Sequence, residues 1–268
     1  MFKDYIILPY LKYVIGWDMV AEDTIVINED CDFTLPTMKV IERPDFELAN
    51  ATNQLTSSTV YGMGFTTHYP FMVPTPTNGT KGATWHNIDN FVAPTAANIQ
   101  AHPKWFAENP QNLCFCCRDD ESEYALMVEE AFKCVKATVD NVTECNILNI
   151  TQLDVPSYCE CEYCNRHKEE DGSVTGMNIR FMNDVDDKLQ AYLEEKARVN
   201  NEAKREVYLQ FFAYLATNDP PTKSVEEDPS LKCNPNVMIC IAPLHANFTR
   251  TFYDKENEKY AKNIADWE

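Results

Sequence analysis

The sequence predicts an α/β fold in which a parallel sheet is built from βα units. Two observations carry this. From about residue 120 onward, short β-branched runs alternate with long stretches of helical period. The runs also end at prolines, at Val155-Pro156, Asp219-Pro220-Pro221 and Pro243, as strands do when they give way to loops. A third observation narrows the class: no glycine-rich G-x-G-x-x-G or Walker loop follows any of these runs, which argues against a nucleotide-binding doubly wound fold. The length accommodates about half of an eight-stranded barrel. The expected architecture from the residues alone is therefore a run of βα units over residues 48–268, preceded over residues 1–47 by the tail of another unit.

The opening segment is too short for a core of its own. Ile6 to Trp17 is amphipathic, Thr24 to Phe33 and Thr37 to Ile41 read as strands, and Arg43-Pro44-Asp45 closes the unit. Phe46 to Asn98 is rich in proline and glycine, so loops dominate there, with Val60 to Tyr69 and Ile88 to Val92 as candidate strands. Pro94 to Gln100 and Pro103 to Ala107 read as helical turns.

Regular alternation follows. Asp120 to Val139 is a helix with Leu126, Val128, Ala131, Phe132 and Val135 on its apolar side. The run from Asn146 is a short buried strand that stops at Asp154. Glu169 to Gly172 reads as a turn, and Met177 to Arg198 as a second helix with Ile179, Met182, Val185, Leu189 and Leu193 on one stripe. Val207 to Leu215 and Val237 to Ala242 are strands, and Asp254 to Glu268 is an amphipathic end.

Composition excludes some functions. With 42 acids against 23 Lys and Arg the net charge is -19, so the clustered positive charge that nucleic acids and anionic membranes require is missing. No apolar run reaches the roughly 18 residues of a membrane span. The N-terminal apolar patch has neither a basic flank nor a small-residue cleavage site, so it does not read as a signal peptide. Five N-x-S/T sequons occur, at Asn50, Asn78, Asn141, Asn149 and Asn247, and Asn149 falls inside a predicted buried strand, where no glycan fits.

The stretch Asn146 to Cys164, NILNITQLDVPSYCECEYC, concentrates the chemistry. An acid at the carboxyl end of a strand is where α/β enzymes keep reactive groups, which makes Asp154 the leading catalytic candidate. Gln152 lies two residues earlier on the same side of the strand, and Tyr158 follows in the loop. Next come Cys159, Cys161 and Cys164, with His167 three residues on. With His167 or Cys114 they would supply four soft ligands for a structural zinc; disulfides fit the same residues equally well. No Cys-His pair at a helix N-terminus marks a nucleophile, so the cysteines read as structural.

Four blocks resemble one family: the run from Trp85 to Cys114, the run from Asn149 to Val185, FFAYLATNDPP and NVMICIAPLHANFTR. Together they are similar to the bacterial family catalogued as domain of unknown function 4838, which overlaps glycoside hydrolase family 163. The resemblance implies a partial (β/α)8, TIM-barrel-like glycoside-hydrolase domain over residues 48–268, preceded by the tail of a small α/β accessory domain over residues 1–47. It further implies endo-β-N-acetylglucosaminidase activity on N-glycans by a substrate-assisted, retaining mechanism that needs no cofactor. A glycan or glycoprotein substrate and a secreted or periplasmic location follow from the same resemblance, though the chain shows no export signal. Two blocks depart from the family pattern: Leu153 stands where an Asn usually precedes the loop aspartate, and Phe115-Cys116-Cys117-Arg118 replaces a Leu-Thr-Asn-Pro-like block.

Sugar recognition asks for an apolar ring to stack on and donors for hydroxyls, which Trp85 and His86 combine. His245, after the strand ending at Ala242-Pro243, reaches the same mouth if all strands deliver their ends to one face. Tyr214, near the end of its strand, lines the same pocket or, as is commoner for such a tyrosine, sits in the core, and His102 reads as structural. The alternative to a hydrolase is a carbohydrate-binding relative without turnover.

Overall fold

The computed structural model describes residues 17–21, 24–27, 71–72, 86–107, 112–141 and 146–267. The chain divides into two compact units, residues 1–69 and 70–268. In the first, β1 (Trp17–Ala21) and β2 (Thr24–Ile27) form an antiparallel hairpin, with Trp17 opposite Ile27 and an irregularity between Met19 and Ala21. The expected helix before Trp17 and the expected strands at 37–41 and 60–69 lie outside the described residues.

The second unit holds a four-stranded parallel sheet of sequential order: β3 (Phe71–Met72), β4 (Ile147–Asn149), β5 (Tyr208–Ala213) and β6 (Val237–Ile241). The registers place Leu148 opposite Leu209 and Phe211 opposite Ile239. Parallel neighbours need crossover connections, and the two longest helices lie in two of the three, while the β5–β6 connection carries only short 3-10 turns. Between β3 and β4 come α1 (Ile88–Phe91), α2 (Ala96–Ala101) and α3 (Glu121–Asn141). Between β4 and β5 come α4 (Glu162–Asp171) and α5 (Thr175–Asn200), and α6 (Glu258–Asp266) follows β6. Among the described residues there is no closed barrel and no eightfold βα repeat. The TIM-barrel expectation thus reduces to an α/β fold with a small parallel sheet.

The core lies where α3 and α5 meet the sheet. Val128, Ala131, Val135 and Val139 of α3 pack with Ile179, Met182, Val185 and Leu189 of α5 against Leu148, Leu209 and Phe211. Burying each such side chain contributes about 1.5–3 kcal/mol. The α5 stripe is the one the 3.6-residue period predicts. In α3, Leu126 faces solvent, because the buried face runs through Met127, Val128, Ala131 and Val135. Asn149 is fully buried, as its place in a strand demands.

Two other expectations change. Ile88 to Val92 is a short helix rather than a strand: Ile88, Phe91 and Val92 are buried at spacings of three and four, which suit a helical turn as well as a strand. Glu169 to Gly172 is the last turn of α4, and Gly172 closes it in the left-handed conformation at φ 76. A Cβ at Gly172 would lie 1.8 Å from Thr222 Oγ1, so glycine is required by space as well as by φ. Beside this turn, the buried carboxylate of Asp171 receives both forks of Arg180, at 2.6 and 2.9 Å, and Arg180 also binds Asp228 at 2.9 Å. The bidentate geometry satisfies charges that would be costly to bury alone.

Candidate functional site

The backbone beyond β4 is strapped in place by one asparagine. Asn87 donates from Nδ2 to the Asn149 carbonyl (2.9 Å) and accepts at Oδ1 from the Thr151 N–H (2.9 Å). The N–H groups of Asn87 and Ile88 both reach the Thr151 carbonyl, at 3.1 and 2.8 Å. This clamp docks the start of α1 on the strand extension and sets His86 over Gln152. His86 Nδ1 lies 2.8 Å from the Gln152 carbonyl. A carbonyl only accepts, so Nδ1 carries the hydrogen and Nε2 is directed toward Asp154, 4.0 Å from Oδ1.

Gln152 and Tyr214 complete the arrangement. The Gln152 side-chain amide donates to Thr217 Oγ1 (2.6 Å) and to the Tyr214 carbonyl (3.0 Å), tying the β4 extension to the turn after β5. In that turn Leu215 adopts φ 48, a left-handed conformation that costs a branched side chain about 1–2 kcal/mol. The strained turn presents Tyr214, whose hydroxyl donates to Asp154 Oδ1 at 2.6 Å. That hydrogen bond to Asp154 is the main reason the Tyr214 phenol is held above its usual range, which keeps it a donor. His86, Asp154 and Tyr214 therefore meet at the carboxyl edge of the sheet, and the Asp154 side chain is 62% exposed.

The other sequence candidates separate. Gln152 is committed to backbone and to Thr217, so it orders the site. Tyr158 is half-buried, pairs through its hydroxyl with Lys168, and has the Lys168 ammonium 4.8 Å above its ring. It walls an open cleft of about 460 Å³ together with Asn112, Ser157 and Glu160. His245 is exposed in the turn after β6. Trp85 lies outside the described residues. His102 stacks on Trp105, with centroids 3.9 Å apart, and binds Glu123 at 2.9 Å, a structural role.

Five residues past Asp154 the same loop enters a sulfur cluster. The Sγ atoms of Cys114, Cys159, Cys161 and Cys164 all lie within 4.8 Å of one another, with Cys114 3.6 Å from Cys161 and 3.9 Å from Cys164. Four sulfurs held tetrahedrally about 2.3 Å from a zinc ion stand roughly 3.8 Å apart, so the cluster is positioned to hold one metal ion of that size. A cluster of several irons would spread the same sulfurs wider. Disulfide bonds are absent here, since all four cysteines are free. The fourth partner is Cys114 rather than His167, which turns instead to Tyr163 and to Glu170, 3.4 Å away.

Backbone N–H groups point at these sulfurs: Cys116 N–H at Cys114 Sγ (3.5 Å), Cys161 N–H at Cys159, and Phe115 N–H at Cys164. Such donors favour thiolate charge. Hydrogen bonding among the sulfurs drives the Cys159 thiol down while pushing Cys114 up, because the Cys114 thiol donates to the Cys159 thiolate; a bound cation would let all four ionise together. Nearby, burial pushes the Cys117 thiol up to about 12, so it behaves as an inert core residue.

Two partners were undervalued by the sequence reading. Tyr214, near the end of an apolar strand, reads there as a core residue before a pocket-lining one, and the structure puts its hydroxyl on Asp154. Asn87 was visible only as the residue between His86 and an apolar run.

A family model described as Domain of unknown function (DUF4838) matches residues 19–268. No curated protein and no solved structure matches the chain.

Proposed function

Because the chain belongs to the DUF4838 family, we propose that it acts on carbohydrate as a glycoside hydrolase, cleaving N-acetylglucosamine-containing glycans of the N-glycan type. The observation that carries this reading is the group of His86, Asp154 and Tyr214 at the carboxyl edge of the sheet. Glycosidic cleavage needs groups that stabilise an oxocarbenium-like centre, and a 2-acetamido substituent can supply the nucleophile itself. A carboxylate held by a tyrosine donor at one oxygen retains its second oxygen for the substrate. In this reading Asp154 accepts the acetamido N–H, Tyr214 holds that carboxylate in place, and His86 contacts the adjacent hydroxyl or leaving oxygen.

The test is release of a labelled oligosaccharide from such a glycan by this chain and by Asp154→Asn. Turnover by the parent and at least a hundredfold less by the variant is the expected result. Equal turnover by both removes Asp154 from the chemistry. A second reading, glycan binding without turnover, is favoured by one observation: the groups that reach Asp154, the Tyr214 hydroxyl and the His86 imidazole, are ones that suit sugar hydroxyls as well as they suit catalysis. That reading predicts glycan affinity with no product from either protein.

A further inference from the structure

We infer that the loop following β6, residues 243–254, is an aromatic platform for the distal sugar rings of an extended glycan. This inference rests on the proposed site and extends it outward. The register fixes the neighbourhood. Ala213 pairs with Ile241, and the Ala242 N–H donates to the Ala213 carbonyl at 3.1 Å. Tyr214 is the next residue after Ala213, so the loop leaves the sheet one strand spacing, about 4.8 Å, from the residue that binds Asp154. Asp154 follows the strand on the other side of β5. The segments that trail β4 and β6 therefore leave one sheet edge two strand spacings, about 10 Å, apart, a span on the order of two sugar rings.

The loop displays rings in a way a folding core does not explain. Tyr253 is 98% exposed and Phe248 72%, and Leu244 and Phe252 are also exposed. Polar residues lie between Leu244, Phe248 and the adjacent pair Phe252-Tyr253: His245 and Asn247, then Thr249, Arg250 and Thr251. An alternation of bare rings with hydrogen-bonding groups matches a pyranose, which offers an apolar C–H face bordered by hydroxyls. A protein partner would more commonly meet a contiguous apolar patch. The net charge of -19 disfavours an anionic partner.

The platform is also rigid at its neck. Buried Asn257 donates to the Asn247 carbonyl and to the Thr251 carbonyl, both at 3.0 Å, and accepts from the Asn247 N–H at 2.7 Å. Asn247 in turn holds Thr249 through Oδ1 and Glu256 through Nδ2, at 2.6 Å each. A backbone fixed in this way loses little freedom when a ligand stacks on the rings it carries.

The experiment compares the parent chain with Phe248→Ala/Tyr253→Ala, using a biantennary N-glycan and free N-acetylglucosamine as probes in calorimetric titrations. Both substitutions are at exposed positions, and an unchanged melting temperature verifies the fold. The expected result is a loss of roughly tenfold or more in affinity for the long glycan, with the monosaccharide affinity altered less than twofold. Equal loss for both probes, or none for either, overturns the platform. So does a parent dimer that dissociates on substitution, because the rings then serve contact between copies. Asp154→Asn separates the two proposals: if neither parent nor Asp154→Asn releases product while long-glycan affinity still depends on Phe248 and Tyr253, hydrolysis fails and the platform stands. If the parent cleaves glycan and the ring variant binds it equally well, the reverse holds.

Discussion

One loop joins two environments of opposite character. At Asp154 it is open to water, held by single hydrogen bonds from a tyrosine and by a distant imidazole. Five residues later, at Cys159, it is buried among three other sulfurs with backbone donors aimed at them. The buried end is overdetermined, so losing one group there strands its partners without water to replace it. The exposed end is underdetermined, so its groups are replaceable for stability and remain available to a ligand. Stability and chemistry are thus divided along a few residues of chain, and substitutions at the two ends should have nearly opposite consequences.

The sulfur end should show the largest effect. Cys164→Ser removes one of four ligands, and the expected outcome is a fall from one zinc per chain to none, with stability reduced by more than about 4 kcal/mol. Elemental analysis and denaturant midpoints read the two quantities separately. Zinc retention at full stoichiometry would mean that the four sulfurs do not act as one site. Arg180→Met is a comparison elsewhere in the buried interior, leaving the Asp171 carboxylate without its bidentate partner at a cost of about 3 kcal/mol. A loss below about 1 kcal/mol there would show that burial by itself does not explain the sensitivity of the sulfur end.

The sequence disclosed these two ends unequally. Cys159, Cys161 and Cys164 are close in the chain, so their cluster was readable. Their choice of Cys114 over His167 depends on how the segment after the Phe106–Leu113 bridge folds back, which no local spacing records. The proline after Asp154 suggests a strand end there, but β4 stops at Asn149 and Asp154 lies on its extension, whereas Tyr214 reads as core before pocket, because its placement comes from a strained turn at Leu215. The helices α3 and α5 were legible almost to their ends, their apolar stripes being long enough to show a period. Ile88 to Val92 was misread as a strand because five residues cannot distinguish the two periods, and tertiary contacts through Asn87 decide the outcome. The partial-barrel expectation located the strands that became β4, β5 and β6 but not β3, and it took the barrel itself from the resemblance; closure is a property of strand number that local patterns do not carry.

At the exposed end the expected stability changes are small. Tyr214→Phe removes only the hydroxyl that meets Asp154, and should alter stability by less than about 0.5 kcal/mol. If the proposed hydrolysis is correct, turnover should nonetheless fall at least tenfold, since the carboxylate loses its orienting donor. A destabilisation above about 2 kcal/mol would place Tyr214 in the core after all and erase the contrast with Cys164.

The smallest effect tests whether charge on the surface follows the rule of the exposed end. Asp140, at the end of α3, accepts from Tyr192 and Lys196 at 2.5 Å each and from Lys136 at 2.9 Å. Desolvation pushes its carboxyl up, but the three donors outweigh it and hold the group at about 2. An unfolded aspartate titrates near pH 3.9, so between about pH 4 and pH 2 the unfolded chain binds a proton that the native chain does not. The stabilisation is therefore complete above about pH 4 and is lost as the pH falls through about 2. Because the ions are largely in water and screened by salt, the contribution should be below about 1 kcal/mol. Urea midpoints for the parent and Asp140→Asn should differ at pH 6 and converge toward pH 2. A gap that stays constant over that range would assign the contribution of Asp140 to packing instead of charge.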